Sequence, residues 1–170
     1  MTRLNIECEN TYKTAPEVDV VKVAEDIFKY FMSVDEISQN SCLTQYSYSS
    51  VSFDFLLCDG AKTHEINKEY RNKDLPADII TFAVFADSAE DERFILEGEV
   101  NLGEIIIALD QIELSAKEKG IDFVSEFVFF ISHGILHLLG FDHQTEKEYN
   151  FVVENQIKAL KSIGMKYDKI

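Results

Sequence analysis

The stretch HGILHLLGFDH, residues 133–143, holds three of the four histidines in the chain. On a helix, His133 and His137 stand four residues apart and project from one face, with Cβ atoms about 5–6 Å apart. That spacing suits two imidazole nitrogens converging on one ion, since Zn–N bonds are about 2.0–2.1 Å long. A third ligand from the next turn would crowd the first two, so the chain has to leave the helix. Gly140 can supply that exit, because glycine after a helix readily takes the left-handed conformation. His143 follows three residues later, placed to complete a three-histidine site. Three neutral imidazoles leave a divalent ion its full charge and one open position, where a water would have a pKa of about 7. The expected cofactor is one Zn2+ ion, although imidazoles accept other divalent transition metals. Two blander readings stand beside catalytic zinc: an ion that only holds structure, or histidines that merely line a helix end. Structural zinc commonly has four protein ligands, often thiolates, and none of Cys8, Cys42 and Cys58 lies near the motif.

The spacing HxxxHxxGxxH is shared with zinc peptidases in which a Glu after the first His acts as base. Gly134 occupies that position here, so the peptidase mechanism would lack its usual proton acceptor. Asp142 can orient a ligand or handle a proton, or simply form the turn at the helix exit. Glu104 is a second carboxylate candidate, with an exposed strand residue as the alternative.

The elements that must position these groups follow from periodicity. Alternation predicts strands over 3–8 and 51–58 and, as apolar runs, over 79–85 and 102–109, with a weaker edge strand over 95–100. The run over 79–85 reads as buried on both faces, and that over 102–109 as central in its sheet. Spacings of three and four predict helices over 18–32, 61–70, 112–119, 123–139 and 145–163. Residues 38–49 and the acidic 87–94 read as loops. Strands and helices without regular βαβ alternation indicate an α+β fold, one domain over 1–170. About five helices pack on one mixed, mostly four-stranded sheet, with the zinc site at the end of a central buried helix.

Thirteen Phe and seven Tyr exclude a disordered chain, while a net charge of −15 excludes a broad phosphate-gripping surface. A polyanion must therefore be met at a small basic spot, through a metal, or through another protein. Lys68, Arg71 and Lys73 form one such island. Arg71 can fork onto a phosphate or pair with Glu69 and Asp74. His64 reads as a hydrogen-bonded or exposed helix residue, and Asn67 as a substrate contact or helix cap. Lys158, Lys161, Lys166 and Lys169 can serve RNA or the end of the last helix. The window over 123–140 has membrane-like length, but Glu126, Ser132, His133 and His137 interrupt it, which favours a buried helix. Three unpaired cysteines and no leader-like start point to a reducing, cytoplasmic setting.

Taken together, HGILHLLGFDH, INKEYRNKDLPADIITFAVF (66–85) and LGEIIIA (102–108) resemble the signatures of the bacterial rRNA maturation factor family, the YbeY endoribonucleases. The order and spacing agree from Asn67 to His143. Departures are Ala77 for Thr, Thr81 for Ser, Glu104 for Asp and Phe141 for Tyr; the first puts the loop before Asp78 in doubt. The resemblance implies zinc held by His133, His137 and His143, and a functional arginine at Arg71 beside the cleft; His133 and Asp142 are the further catalytic candidates. It also implies a single-strand-specific endoribonuclease that processes rRNA, with 16S 3′ end maturation and ribosome quality control as the associated processes. The implied partner is precursor rRNA or a ribosomal subunit, reached through a ribosomal protein, with no DNA and no membrane involved. A zinc hydrolase of another substrate such as a peptide, and a non-catalytic ribosome assembly factor, remain the alternatives.

Overall fold

The computed structural model describes residues 2–167. Lys169, one of the four C-terminal lysines, lies outside them. The order of elements is β1 (Arg3–Asn10), α1 (Val20–Ser33), α2 (Asp35–Ser38), β2 (Ser50–Cys58), α3 (Gly60–Tyr70), β3 (Ile79–Phe82), β4 (Glu99–Ala108), α4 (Leu109–Lys119), α5 (Phe123–Leu138) and α6 (Glu146–Ser162). The four strands form one mixed sheet in the order β1-β2-β4-β3, with β1, β2 and β4 parallel and β3 antiparallel. The architecture is α+β, as the sequence predicts, with the short α2 added to the expected helices.

Alternation divides the sheet between two layers. Phe53, Phe55 and Leu57 of β2 join Ile105 and Ile107 of β4 in the main core with α1, α5 and α6, whereas Ile80, Ile106 and Cys58 pack with Ile66 of α3 on the other side. The central place expected for 102–109 holds: β4 lies between β2 and β3. Two strand expectations need correction. The run 79–85 is a strand only as far as Phe82, it forms a sheet edge, and Ile80 alone is buried in it. Its apolar continuity has a different origin, since Ala83 and Phe85 enter the main core from a turn closed by Asp87 N–H donating to Ala83 O at 2.8 Å. Of the expected strand over 95–100, only Glu99 and Val100 are strand, as the start of β4, and the residues before them form a tight reversal. Leu96 and Glu99 bridge across it, and Glu97 and Gly98 take positive φ of 51° and 82°.

Gly134 accounts for how closely α5 lies on the sheet. A Cβ there would stand 2.8 Å from Ile105 Cγ2 and 2.9 Å from its Cδ1. The residue beside the first histidine is thus small because it is the contact between helix and strand, and a glutamate at this position would point into β4.

Glu126, which interrupts the apolar run of α5, is fully buried and fully used. Its Oε1 accepts from the Tyr167 hydroxyl at 2.7 Å, and its Oε2 accepts from Lys119 Nζ at 2.9 Å and from Ser115 Oγ. Tyr167 in turn stacks on Phe129 at 3.7 Å, which pins the segment after α6 against α5. A buried carboxylate deprived of its cation keeps its charge and loses its partner. Lys119→Met is therefore expected to cost about 2–3 kcal/mol in urea denaturation, less than a fully enclosed pair because Lys119 reaches solvent. No single helix among the described residues is long and apolar enough to cross a membrane.

Candidate metal centre and cleft

α5 is fixed at its start by Asp122, whose carboxylate accepts from Ser125 N–H at 3.0 Å and from Ser125 Oγ at 2.8 Å. At its end, Gly140 N–H donates to His137 O and Phe141 N–H to Leu136 O, both at 3.0 Å, with Gly140 at φ 99°. That left-handed residue reverses the chain and returns His143 to the face that carries His133 and His137. The ring centroids are 4.6 Å apart for 133–137, 5.1 Å for 133–143 and 5.0 Å for 137–143. One nitrogen from each ring lies within 4.8 Å of the other two. These three donors fit a divalent transition metal and leave room for a further ligand.

Gln156 of α6 fixes the first of them. Its Nε2 donates to Phe129 O at 2.9 Å, which turns its Oε1 toward His133 Nδ1 at 3.2 Å. An acceptor there favours the tautomer protonated on Nδ1 and leaves the Nε2 lone pair free for an ion. Burial, followed by the neighbouring His137, lowers the His133 pKa to about 4, against a smaller upward pull from Gln156. Burial and then His143 lower that of His137, with Arg71 contributing in the same direction. At neutral pH both rings are thereby held in the neutral state that ligates metal.

The histidines line a cleft of about 660 Å³ bounded by β3, α5 and α6. Arg71, at the C-terminal end of α3, lines it too. Arg71 is exposed, as a surface arginine would be, but it makes no ion pair with Glu69 or Asp74 among the described residues. Asp74 pairs instead with His64 at 2.7 Å and Lys68 at 3.8 Å. His64 is thus a hydrogen-bonded helix residue. Asn67 neither caps its helix nor faces the cleft: its Nδ2 donates to Leu75 O at 2.9 Å, and its own carbonyl accepts from Arg71 and Lys73 N–H, both at 3.0 Å. It ties down the loop that carries Arg71.

Asp142 is exposed and engaged with its own turn, accepting from His143 N–H and from Gln144 Nε2, each at 2.8 Å. Glu104 is not brought to the histidines. It alternates with Ile105, which touches α5, and so lies on the opposite face of the sheet in register with Asp54 and, beyond it, Glu7. Desolvation, then Asp54 and Glu9, raise its pKa.

Two cleft residues escape the sequence reading. Gln156 is 1% exposed, and the only local sign of its role is an amide within the apolar stripe of α6. Asp78 lines the cleft beside Ile79. Burial raises its pKa, partly offset by the Ile79 N–H that donates to its Oδ1 at 2.8 Å. No periodicity distinguishes it from a loop aspartate.

Comparison with known proteins shows the family to which this fold belongs. A protein of Fusobacterium nucleatum named Endoribonuclease YbeY is 35% identical over 152 residues, covering 83% of this chain and 91% of the relative. One of the same name from Bacillus cereus is 31% identical over 151 residues, covering 87% and 96%. A solution structure from Thermotoga maritima shares the fold with a TM-score of 0.53 at 24% identity, covering 94% of this chain and 88% of that one. Residues 5–164 match the family model described as Endoribonuclease YbeY, and the chain belongs to that family.

Proposed function

We propose that the chain is a zinc-dependent, single-strand-specific endoribonuclease of the cytoplasm. Its substrate is precursor rRNA, met on a ribosomal subunit through a ribosomal protein, and its tasks are 16S 3′ end maturation and ribosome quality control. The observation that carries the reading is the convergence of three imidazoles in one cleft with an arginine that has no ion pair among the described residues. When bound by His133, His137 and His143, the ion would supply positive charge for phosphate oxygens and lower the pKa of a water. The chain's own residues do the remainder. Arg71 presents a planar fork to the nonbridging oxygens as negative charge develops on them. Gln156 holds His133 in its ligating tautomer. Asp142 shapes the turn that delivers His143 and is the carboxylate we assign to proton handling. Arg71 also explains how so acidic a chain grips a polyanion: the contact is one directed cation rather than a basic surface.

A second reading, a peptide hydrolase, draws support from the free edge of β3 beside the histidines, where an extended peptide could add as a strand. Gly134 weighs against it, because the place of a peptidase glutamate is filled by Ile105.

The test uses purified protein on precursor 16S RNA before and after metal stripping. Cleavage should vanish on stripping, return with Zn2+, and fall about 10- to 100-fold in Arg71→Lys, which keeps the charge but loses the fork. Equal cleavage in all samples would sink the proposal, and peptide turnover without RNA cleavage would favour the second reading.

A further inference from the structure

The cleft continues beyond the histidines. Phe129 and Phe130 lie about one turn of α5 before His133, and they line the cleft together with Val153 and Gln156 of α6 and Ile79 of β3. At this end stands Asp78, close enough to Lys119 and Glu126 for their charges to act on it. The distance along α5 from the level of Glu126 to His133 is about 10 Å, comparable to the reach of a nucleotide from its phosphate to the far edge of its base. One carboxylate oxygen of Asp78 accepts the Ile79 N–H. The other has no hydrogen-bond partner among the described residues.

We infer that this arm of the cleft is a nucleobase subsite, in which the base flanking the scissile phosphate lies against the Phe130 wall and offers N–H donors to Asp78. The inference rests on the endoribonuclease reading and gives it a base preference. An unstacked base has an apolar face that an aromatic wall can hold, and proteins read single strands by such stacking combined with hydrogen bonds to the base edge. A carboxylate is an acceptor only, so the subsite selects donor-bearing edges. Guanine presents two adjacent donors, N1–H and the N2 amino group. Cytosine and adenine present one amino group each, and uracil flanks its single N–H with two carbonyls that the carboxylate repels. The expected order is guanine first and uracil last. Phe129 takes part through the wall alone, since its ring is already stacked on Tyr167.

The experiment measures binding and cleavage separately at pH 8 on the metal-loaded protein. Fluorescence anisotropy compares oligouridylates with and without a single central guanosine, and sequencing of cut ends from a randomised single-stranded RNA reports the base beside the cleaved bond. The wild-type protein should bind the guanosine oligomer about tenfold more tightly and show the same bias at one flanking position. In Asp78→Asn, which preserves shape and the contact to Ile79, the ratio should fall to about twofold or less. Phe130→Leu should weaken both oligomers while retaining the bias. A wild-type protein without preference, or an undiminished preference in Asp78→Asn, overturns the subsite. A preference in binding that Asp78→Asn removes, without any cleavage, upholds the subsite and sinks the hydrolytic reading instead.

Discussion

His137→Ala is expected to lower RNA cleavage by about a thousandfold or more and to release the ion from the purified protein. His137 is the middle donor of the trio, with ring centroids 4.6 Å from His133 and 5.0 Å from His143. Without it, two imidazoles remain, one on the body of α5 and one on the turn beyond Gly140, so the ion keeps only two protein donors from different segments. Two neutral nitrogens hold zinc far less tightly than three. Under the proposed function, the loss falls on the ion that would lower the pKa of a water and stabilise the developing charge. The fold should survive, because Gln156, Gly134 and the Glu126 network hold α5 independently of this side chain. Elemental analysis, a melting curve and the cleavage assay together check the expectation. A variant that keeps stoichiometric metal and wild-type rate would place the chemistry elsewhere.

Gly103→Ala should destabilise the protein by about 4 kcal/mol or more. Gly103 has φ 130°, and a Cβ there would stand 1.9 Å from Phe82 O and 3.1 Å from Val84 N. Those atoms are main chain and cannot rotate aside, so β3 would have to move away from β4. A shift of the melting temperature by about 10 °C or more is expected for a domain of this size. Because β3 is also a wall of the cleft, the residual folded protein should cut RNA more slowly even at low temperature. Urea denaturation and a cleavage assay at 10 °C measure the two effects; a variant within about 1 kcal/mol of the wild type would show that the clash is relieved without moving β3. Gly134 meets the buried side chain of Ile105 rather than main chain, so the same substitution there should be milder than at Gly103.

The histidine trio was legible because everything that places it is local: a helical repeat, a glycine exit and a fixed spacing. The same holds for α1, α5 and α6, where apolar stripes mark the buried face. What the sequence hides depends on register between distant segments. Alternation puts Glu104 and Ile105 on opposite faces, but only the pairing of β4 with its neighbours and the contact of Ile105 with α5 show which face looks toward the histidines. The run 79–85 reads as a strand buried on both faces because its residues are apolar, whereas they serve two cores and a turn. Gln156 and the partners of Glu126 are contacts made across 23 or more residues, or between helices, and carry no periodic mark.

The contact between Gly134 and Ile105 bears on what this scaffold could become. Acquiring a peptidase glutamate beside the first histidine is not one mutational step, because the newcomer would be wedged between two layers rather than aimed at a bond. Only a lineage that first lifted the helix from the sheet could explore that chemistry, so drift at this position is confined by architecture before selection on activity is consulted.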